Sequence, residues 1–224
     1  MTDAAPENRR PLKSRGTSWA RGLAATLARS GASPDHISAA SVAFAFLGGM
    51  LLLGAGICPP ILRALFLILA ATCIQLRLLC NLLDGMVAVE HRKGGTSGPI
   101  WNELPDRVAD VMFLAGAGYC AYSSGLDLGA PLGWLAGVLA VLTAYVRELG
   151  RGLGQPADFS GPMAKPHRMA ALTVICVVAA LEPLWGWKGQ SLIIGLVVIV
   201  AGTAWTAIRR TRTLAGRLAA AAEQ

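Results

Sequence analysis

Six apolar runs, each about as long as a bilayer is thick, constrain this chain of 224 residues more than any other feature. A helix needs roughly 20 apolar residues to cross the hydrocarbon core. Segments of that kind can be placed at about 36–57, 61–89, 104–124, 131–150, 169–187 and 190–208, punctuated by Gly, Pro and charge. With 54% hydrophobic and 15% charged residues and a mean hydropathy of +0.52, the chain is too apolar for an ordinary soluble domain. Only short loops remain between the runs, so no separate soluble domain fits. The expectation is an all-α membrane protein with about six transmembrane helices.

The basic residues punctuate these runs, which argues against nucleic acid as the partner of a chain with net charge +7 and points to the lipid bilayer. Seventeen of the 20 Lys and Arg fall on one side of a six-span arrangement. They are Arg9, Arg10, Lys13, Arg15, Arg21 and Arg29 before the first span, and Arg92, Lys93 and Arg107 between the second and third. Arg147, Arg151, Lys165 and Arg168 lie between the fourth and fifth, and Arg209, Arg210, Arg212 and Arg217 follow the sixth. Arg63 and Lys188 fall opposite, and Arg77 lies within a span. The positive-inside rule then puts both termini in the cytosol, as suits a bacterial cytoplasmic membrane; an internal eukaryotic membrane is the alternative. The basic opening has no apolar run directly behind it, so the first span is expected to be retained. Four cysteines (Cys73, Cys80, Cys120, Cys176) sit inside apolar stretches as small packing residues, and Cys58 has no partner spacing.

This divides the chain into a basic cytosolic tail (1–17), an amphipathic helix in the membrane interface (18–32), a six-span domain (33–208) and a second basic cytosolic tail (209–224). In the second of these, Trp19, Leu23 and Leu27 share one helical face while Arg21 and Arg29 take the other. A solvated basic tail is the competing reading. Glycines inside the apolar runs (Gly48, Gly49, Gly54, Gly116, Gly118, Gly195) allow close helix contact in lipid.

Ionisable groups at membrane depth are costly and mark function. Asn81 and Asp84 are neighbours on one helix face at the cytosolic end of the second span. Asn102, Glu103, Asp106 and Asp110 open the third, and the deduced topology puts both groups on the same side. Carboxylates packed together repel unless a cation is present, and oxygen ligands from Asp and Asn suit a hard divalent ion, Mg²⁺ or Mn²⁺. The alternative is that Asp106 and Asp110 cap a helix and pair with Arg107. Between the groups lie Gly85, Gly94, Gly95, Thr96, Ser97 and Gly98, whose backbone amides could approach phosphate. After the fourth span, GPMAKPHRM carries Lys165, His167 and Arg168, either phosphate-binding or topological anchors.

The stretch NLLDGMVAVEHRKGGTSGPIWNELPD, Asn81 to Asp106, resembles the signature of the CDP-alcohol phosphatidyltransferases, D-x2-D-G-x2-A-R-x8-G-x3-D-x3-D. Five of its eight positions match without a gap, at Asp84, Gly85, Ala88, Gly98 and Asp106; Asn81 and Asn102 stand where the family has Asp, and Val89 where it has Arg. SPDHIS, Ser33 to Ser38, is similar to the family's Thr-Pro-Asn-x-x-Thr at the entry to its first span. The resemblance implies transfer of the phosphoryl-alcohol part of a CDP-alcohol, commonly CDP-diacylglycerol, to the hydroxyl of a second alcohol, with release of CMP in phospholipid biosynthesis. It implies a homodimer with a pair of Mg²⁺ or Mn²⁺ ions at a cytosolic site. Carried over by position, Asn81, Asp84 and Asn102 are metal ligands, Asp106 is ligand and catalytic base, and Gly85, Ala88 and Gly98 line the nucleotide cleft. Glu103 and Asp110, absent from the signature, are expected to restore the charge that the two asparagines remove. Lys165 and Arg168 are expected to hold phosphate or a phosphorylated acceptor, whose identity the residues leave open. A silent member of the family, binding lipid or acting as a scaffold, is the alternative.

Overall fold

In the computed structural model, residues 17–90 and 98–222 are described, the side chains of 89, 90, 98, 99, 101 and 102 excepted. Most of the first basic tail, the connector 91–97 with Arg92 and Lys93, the side chains of Val89 and Asn102, and the surroundings of Gly98 therefore lie outside the described residues.

Among the described residues seven α-helices follow one another: α1 (Ser18–Arg29), α2 (Pro34–Ala55), α3 (Pro60–Glu90), α4 (Gly98–Tyr122), α5 (Gly129–Gly152), α6 (Lys165–Leu181) and α7 (Gln190–Ala222), with a short 3₁₀ turn (Glu182–Trp185) after α6. Helix is the only way a chain this apolar can satisfy its backbone amides within a single segment in lipid. The start of α2 is written locally: Ser33 caps it, its hydroxyl accepting from the His36 amide at 3.2 Å, and Pro34 occupies the first turn, where a missing N–H costs nothing. Five helices, α2, α3, α5, α6 with its 3₁₀ turn and α7, are long and apolar enough to cross a membrane. The remaining expected span is α4, whose 25 residues suffice in length but whose first half carries Glu103, Asp106, Arg107 and Asp110.

Packing joins α2 through α7 into a closed ring: α2 on α3, α3 on α6, α6 on α7, α7 on α5, α5 on α4, and α4 back on α2. Phe113, Leu52, Leu67, Ile74, Met169, Leu172, Leu192 and Leu196 fill its interior. The α4–α5 crossing is glycine on glycine. A Cβ on Gly118 would lie 2.5 Å from the Gly129 carbonyl oxygen, and one on Gly133 would lie 2.7 Å from that of Leu114. Any side chain there would push the helices apart. At the end of the ring away from the site, the buried Glu182 carboxylate accepts from the amides of Gly189 and Ser191 and faces Arg63 at 3.8 Å, tying the starts of α3 and α7 to the end of α6.

Outside the ring, α1 lays Ala20 and Ala24 against Leu82, Leu83, Met86 and Val87 of α3. Trp19 and Leu23 stay exposed and Arg21 and Arg29 take a third side. Of the second expected tail, 209–224, the stretch 209–222 continues α7. At about 1.5 Å per residue, its 33 residues outrun a hydrocarbon core of about 30 Å.

A candidate active site at one end of the helix ring

The starts of α2, α4 and α6 and the end of α3 meet at one end of the ring, and their polar side chains form one connected cluster. On α3 the residues Arg77, Asn81 and Asp84 follow the four- and three-residue steps that align side chains along a helix. Asp106 and Asp110 do the same on α4, as do Lys165 and Arg168 on α6. Ser38 and Ser41 contribute from α2.

Asp106 is at the centre. Its Oδ1 accepts from Arg77 Nη2 at 2.7 Å and from Asn81 Nδ2, and its Oδ2 accepts from Lys165 Nζ. The same Arg77 nitrogen reaches the Asp106 carbonyl oxygen at 3.2 Å. Asp110 accepts from Arg168 Nη2 at 2.6 Å through Oδ2, with Arg77 at 3.6 Å from its Oδ1. Arg77 is wholly inaccessible, and Arg168 and Asp110 are each only 1% exposed. These charges are out of water and depend on one another. Asn81 acts as a relay, its amide nitrogen turned to Asp106 while its oxygen accepts from Ser41 at 2.7 Å.

Asp84 differs from the other two acids. Its Oδ2 accepts from Ser38 at 2.8 Å, whereas its buried Oδ1 has no hydrogen-bond partner. No Lys or Arg forms an ion pair with it among the described residues. A bare buried carboxylate oxygen is expensive, and a hard cation coordinated by oxygen is one way to satisfy it. Among the described residues no three of His, Cys, Asp or Glu converge as a ligand set; with both Asp106 oxygens and the Asn81 oxygen already bonded, an ion here would rest on Asp84 and solvent.

The cluster thus unites Asn81, Asp84, Asp106, Asp110, Lys165 and Arg168, with Gly85 and Ala88 half-buried just beyond Asp84. Glu103 is directed elsewhere. Its Oε2 accepts from Arg107 at 2.8 Å and also from Arg147. The charge expected to compensate for the asparagines is therefore already paired, with Arg107 and Arg147 at Glu103 and with Arg168 at Asp110. Arg168 is likewise committed to Asp110.

Three participants were not assigned from sequence. Arg77 was visible as an ionisable residue in a span, and its place four residues before Asn81 put it on the site's face. Ser38 closes the SPDHIS segment. Arg210 had no local signal: from α7 it donates to the carbonyls of Ser160 and Thr143, both at 2.9 Å. With the Met163 amide bonded to Thr206 at 3.0 Å and Gly161 at φ +121°, it pins the loop that delivers Lys165. In that loop burial pushes the Asp158 carboxyl up, but hydrogen bonds from Ser160 and the nearby Arg210 and Arg217 outweigh it and hold the group below its ordinary value. A recess beside the loop is lined by Arg147, Asp158, Arg210 and Arg217.

No family model matches the chain. It is 28% identical over 181 residues, 80% of its own length and 83% of the other's, to inner membrane protein YnbA of Escherichia coli (strain K12). Its fold is that of the Mycobacterium tuberculosis phosphatidylinositol phosphate synthase PgsA1. The apo form superposes with a TM-score of 0.68 at 20% identity, covering 88% of this chain and 95% of that one. The form with CDP-DAG bound gives 0.66 at 18% identity over 88% and 94%. The complex with manganese and citrate gives 0.64 at 19% identity over 87% and 88%.

Proposed function

We propose that this chain is an integral inner-membrane transferase of the CDP-alcohol phosphatidyltransferase type, moving the phosphoryl-alcohol group of a CDP-alcohol, CDP-diacylglycerol foremost, to an acceptor hydroxyl. The observation that carries the reading is the convergence of Asp84, with its bare buried oxygen, and Asp106, bonded to Lys165, at the end where three helices begin. Helix starts and cations favour phosphate. The fold shared with a phosphatidylinositol phosphate synthase and the signature spacing from Asp84 to Asp106 support that reaction class.

In the reaction the acceptor's hydroxyl oxygen attacks the phosphorus that carries the alcohol. A new P–O bond forms, the bond from that phosphorus to the bridging oxygen breaks, and CMP leaves with the electron pair. The acceptor's proton passes to Asp106 Oδ2 once Lys165, the first residue of α6, turns its ammonium from that oxygen to the diphosphate. Lys165 is suited to this move because its charge ends a flexible stem. Gly85 and Ala88 leave room for the nucleotide next to the helix backbone. A divalent ion, Mg²⁺ or Mn²⁺, held at Asp84 would supply charge neutralisation at the diphosphate.

A second reading, a silent lipid-binding protein, is favoured by one observation: both oxygens of Asp106 are already occupied by Arg77, Asn81 and Lys165. The deciding experiment is CMP release by the purified protein in liposomes containing CDP-diacylglycerol, with Mg²⁺ or Mn²⁺ and pooled alcohol acceptors. The expected outcome is acceptor-dependent release that falls on the order of 10²-fold or more in Asp106→Asn. Nucleotide binding without release would establish the silent reading.

A further inference from the structure

Fixed cations already neutralise most of the carboxylates in this site, and that limits how many metal ions it can accept. We propose that the site binds one divalent ion per chain, anchored on Asp84, and that the Arg77 guanidinium supplies permanently the positive charge a second ion would bring. The inference deepens the transferase reading and rests on it for the presence of a divalent ion.

The oxygen inventory carries the count. Asp106 has Arg77 and Asn81 on one oxygen and Lys165 on the other. Asp110 has Arg168 at 2.6 Å on one oxygen and Arg77 at 3.6 Å from the other. Glu103 is taken by Arg107 and Arg147. Among the described residues Asp84 Oδ1 and Asp110 Oδ1 are both buried without a hydrogen bond, and of the two Asp84 Oδ1 has no arginine within ion-pair distance. It is the position with lone pairs to give.

Arg77 cannot vacate the site as Lys165 can. It lies well inside α3, its side chain is wholly inaccessible, and two of its nitrogens, Nε and Nη1, are buried without partners. Held by packing, its guanidinium stays beside Asp106 when Lys165 turns away. The neighbouring asparagine agrees with this. A carboxylate at position 81 would have to accept from something, whereas the Asn81 amide donates to Asp106 and lets that oxygen serve Arg77 as well.

Charge balance leads to the same count. Arg77, Lys165 and Arg168 offset Asp84, Asp106 and Asp110, and Arg107 beside Asp106 is offset by Glu103, leaving the cluster neutral before substrate binds. One divalent ion then matches a diphosphate diester, in which each phosphoryl group carries a single negative charge. A pair would leave two positive charges uncompensated where the dielectric is low.

The test counts Mn²⁺ bound to the full-length protein in nanodiscs, from the loss of the free Mn²⁺ electron-paramagnetic-resonance signal, with and without CDP-diacylglycerol. One ion per chain is expected, lost in Asp84→Asn, and a second ion is expected in the double variant Arg77→Met, Asn81→Asp. Two ions in the unaltered protein, none, or one that survives Asp84→Asn would each overturn the proposal. Should the double variant not fold, the native count and Asp84→Asn decide. CMP release with two ions bound would sink this inference and leave the transferase standing; one ion bound without CMP release would do the reverse.

Discussion

Arg77 shows how a single residue can set the character of a site. Its guanidinium holds two carboxylates of α4 from the middle of α3, so removing it strands charge where water cannot reach. Arg77→Met is expected to cost about 3–5 kcal/mol of stability, the usual penalty for breaking a buried pair, with partial recovery when Asp110→Asn is added. Thermal unfolding in detergent checks both; an unaltered midpoint in the single variant would mean that the pairing is not structural. At this scale the sequence revealed composition better than partnership. Asp84, Asp106 and Lys165 stood out as costly polar groups, and the structure joins them. Glu103 and Asp110 were expected to add free charge; Asp110 turns out to be engaged by arginines of α3 and α6, and Glu103 by Arg107 of its own helix and Arg147 of α5. The pairs between helices link residues 29 to 58 positions apart, and nothing in the local pattern selects one arginine over another.

The α4–α5 crossing shows what a helix pair requires of its sequence. Gly133 has the Leu114 carbonyl where a Cβ would go, 2.7 Å away, while a Cβ on Gly137 would meet Val111 at an ordinary 3.5 Å. Gly133→Ala should therefore destabilise by about 1–3 kcal/mol through overpacking. Gly137→Ala should be neutral or stabilising by up to about 1 kcal/mol, because alanine is the better helix former. Equal melting shifts for the two variants would contradict the crossing. Gly118 was among the glycines expected to make close contacts, whereas Gly129 and Gly133 are its partners only because of the way α4 and α5 lie. Apolar run length located these helices to within a few residues. It does not reach 209–222, where a basic stretch continues α7 although no apolar period marks it.

At the scale of the whole molecule, the ends of α3, α5 and α7 and the starts of α2, α4 and α6 share one face of the ring, and most of the described Lys and Arg lie near that face. We propose that it is cytosolic, carrying both termini and the site, with α1 lying in the interface through Trp19 and Leu23. Reporter fusions test this: a fluorescent protein after Gln224 should fluoresce, and alkaline phosphatase inserted at Gly125 or Gly186 should be active. Activity of both reporters on the same side would refute the six-span topology. The turns at Gly125 and Gly186 lie at positive φ, 90° and 78°, in tight connections at the opposite end.

By itself the sequence determined that this is a helical membrane protein, about where its helices run and which short segment concentrates the costly polar groups. Each of those follows from quantities that add up along the chain: hydropathy over a span, helical spacing of polar groups, and the signature from Asn81 to Asp106. Only the tertiary structure decided which charges are spent on one another and which oxygen remains bare. Coulomb energy depends on separation and burial, and here both are set by how α2, α3, α4 and α6 come together at one end of the ring. Asp84 and Asp106 are the same residue type within one motif, yet one faces a serine and the other two cations and an amide.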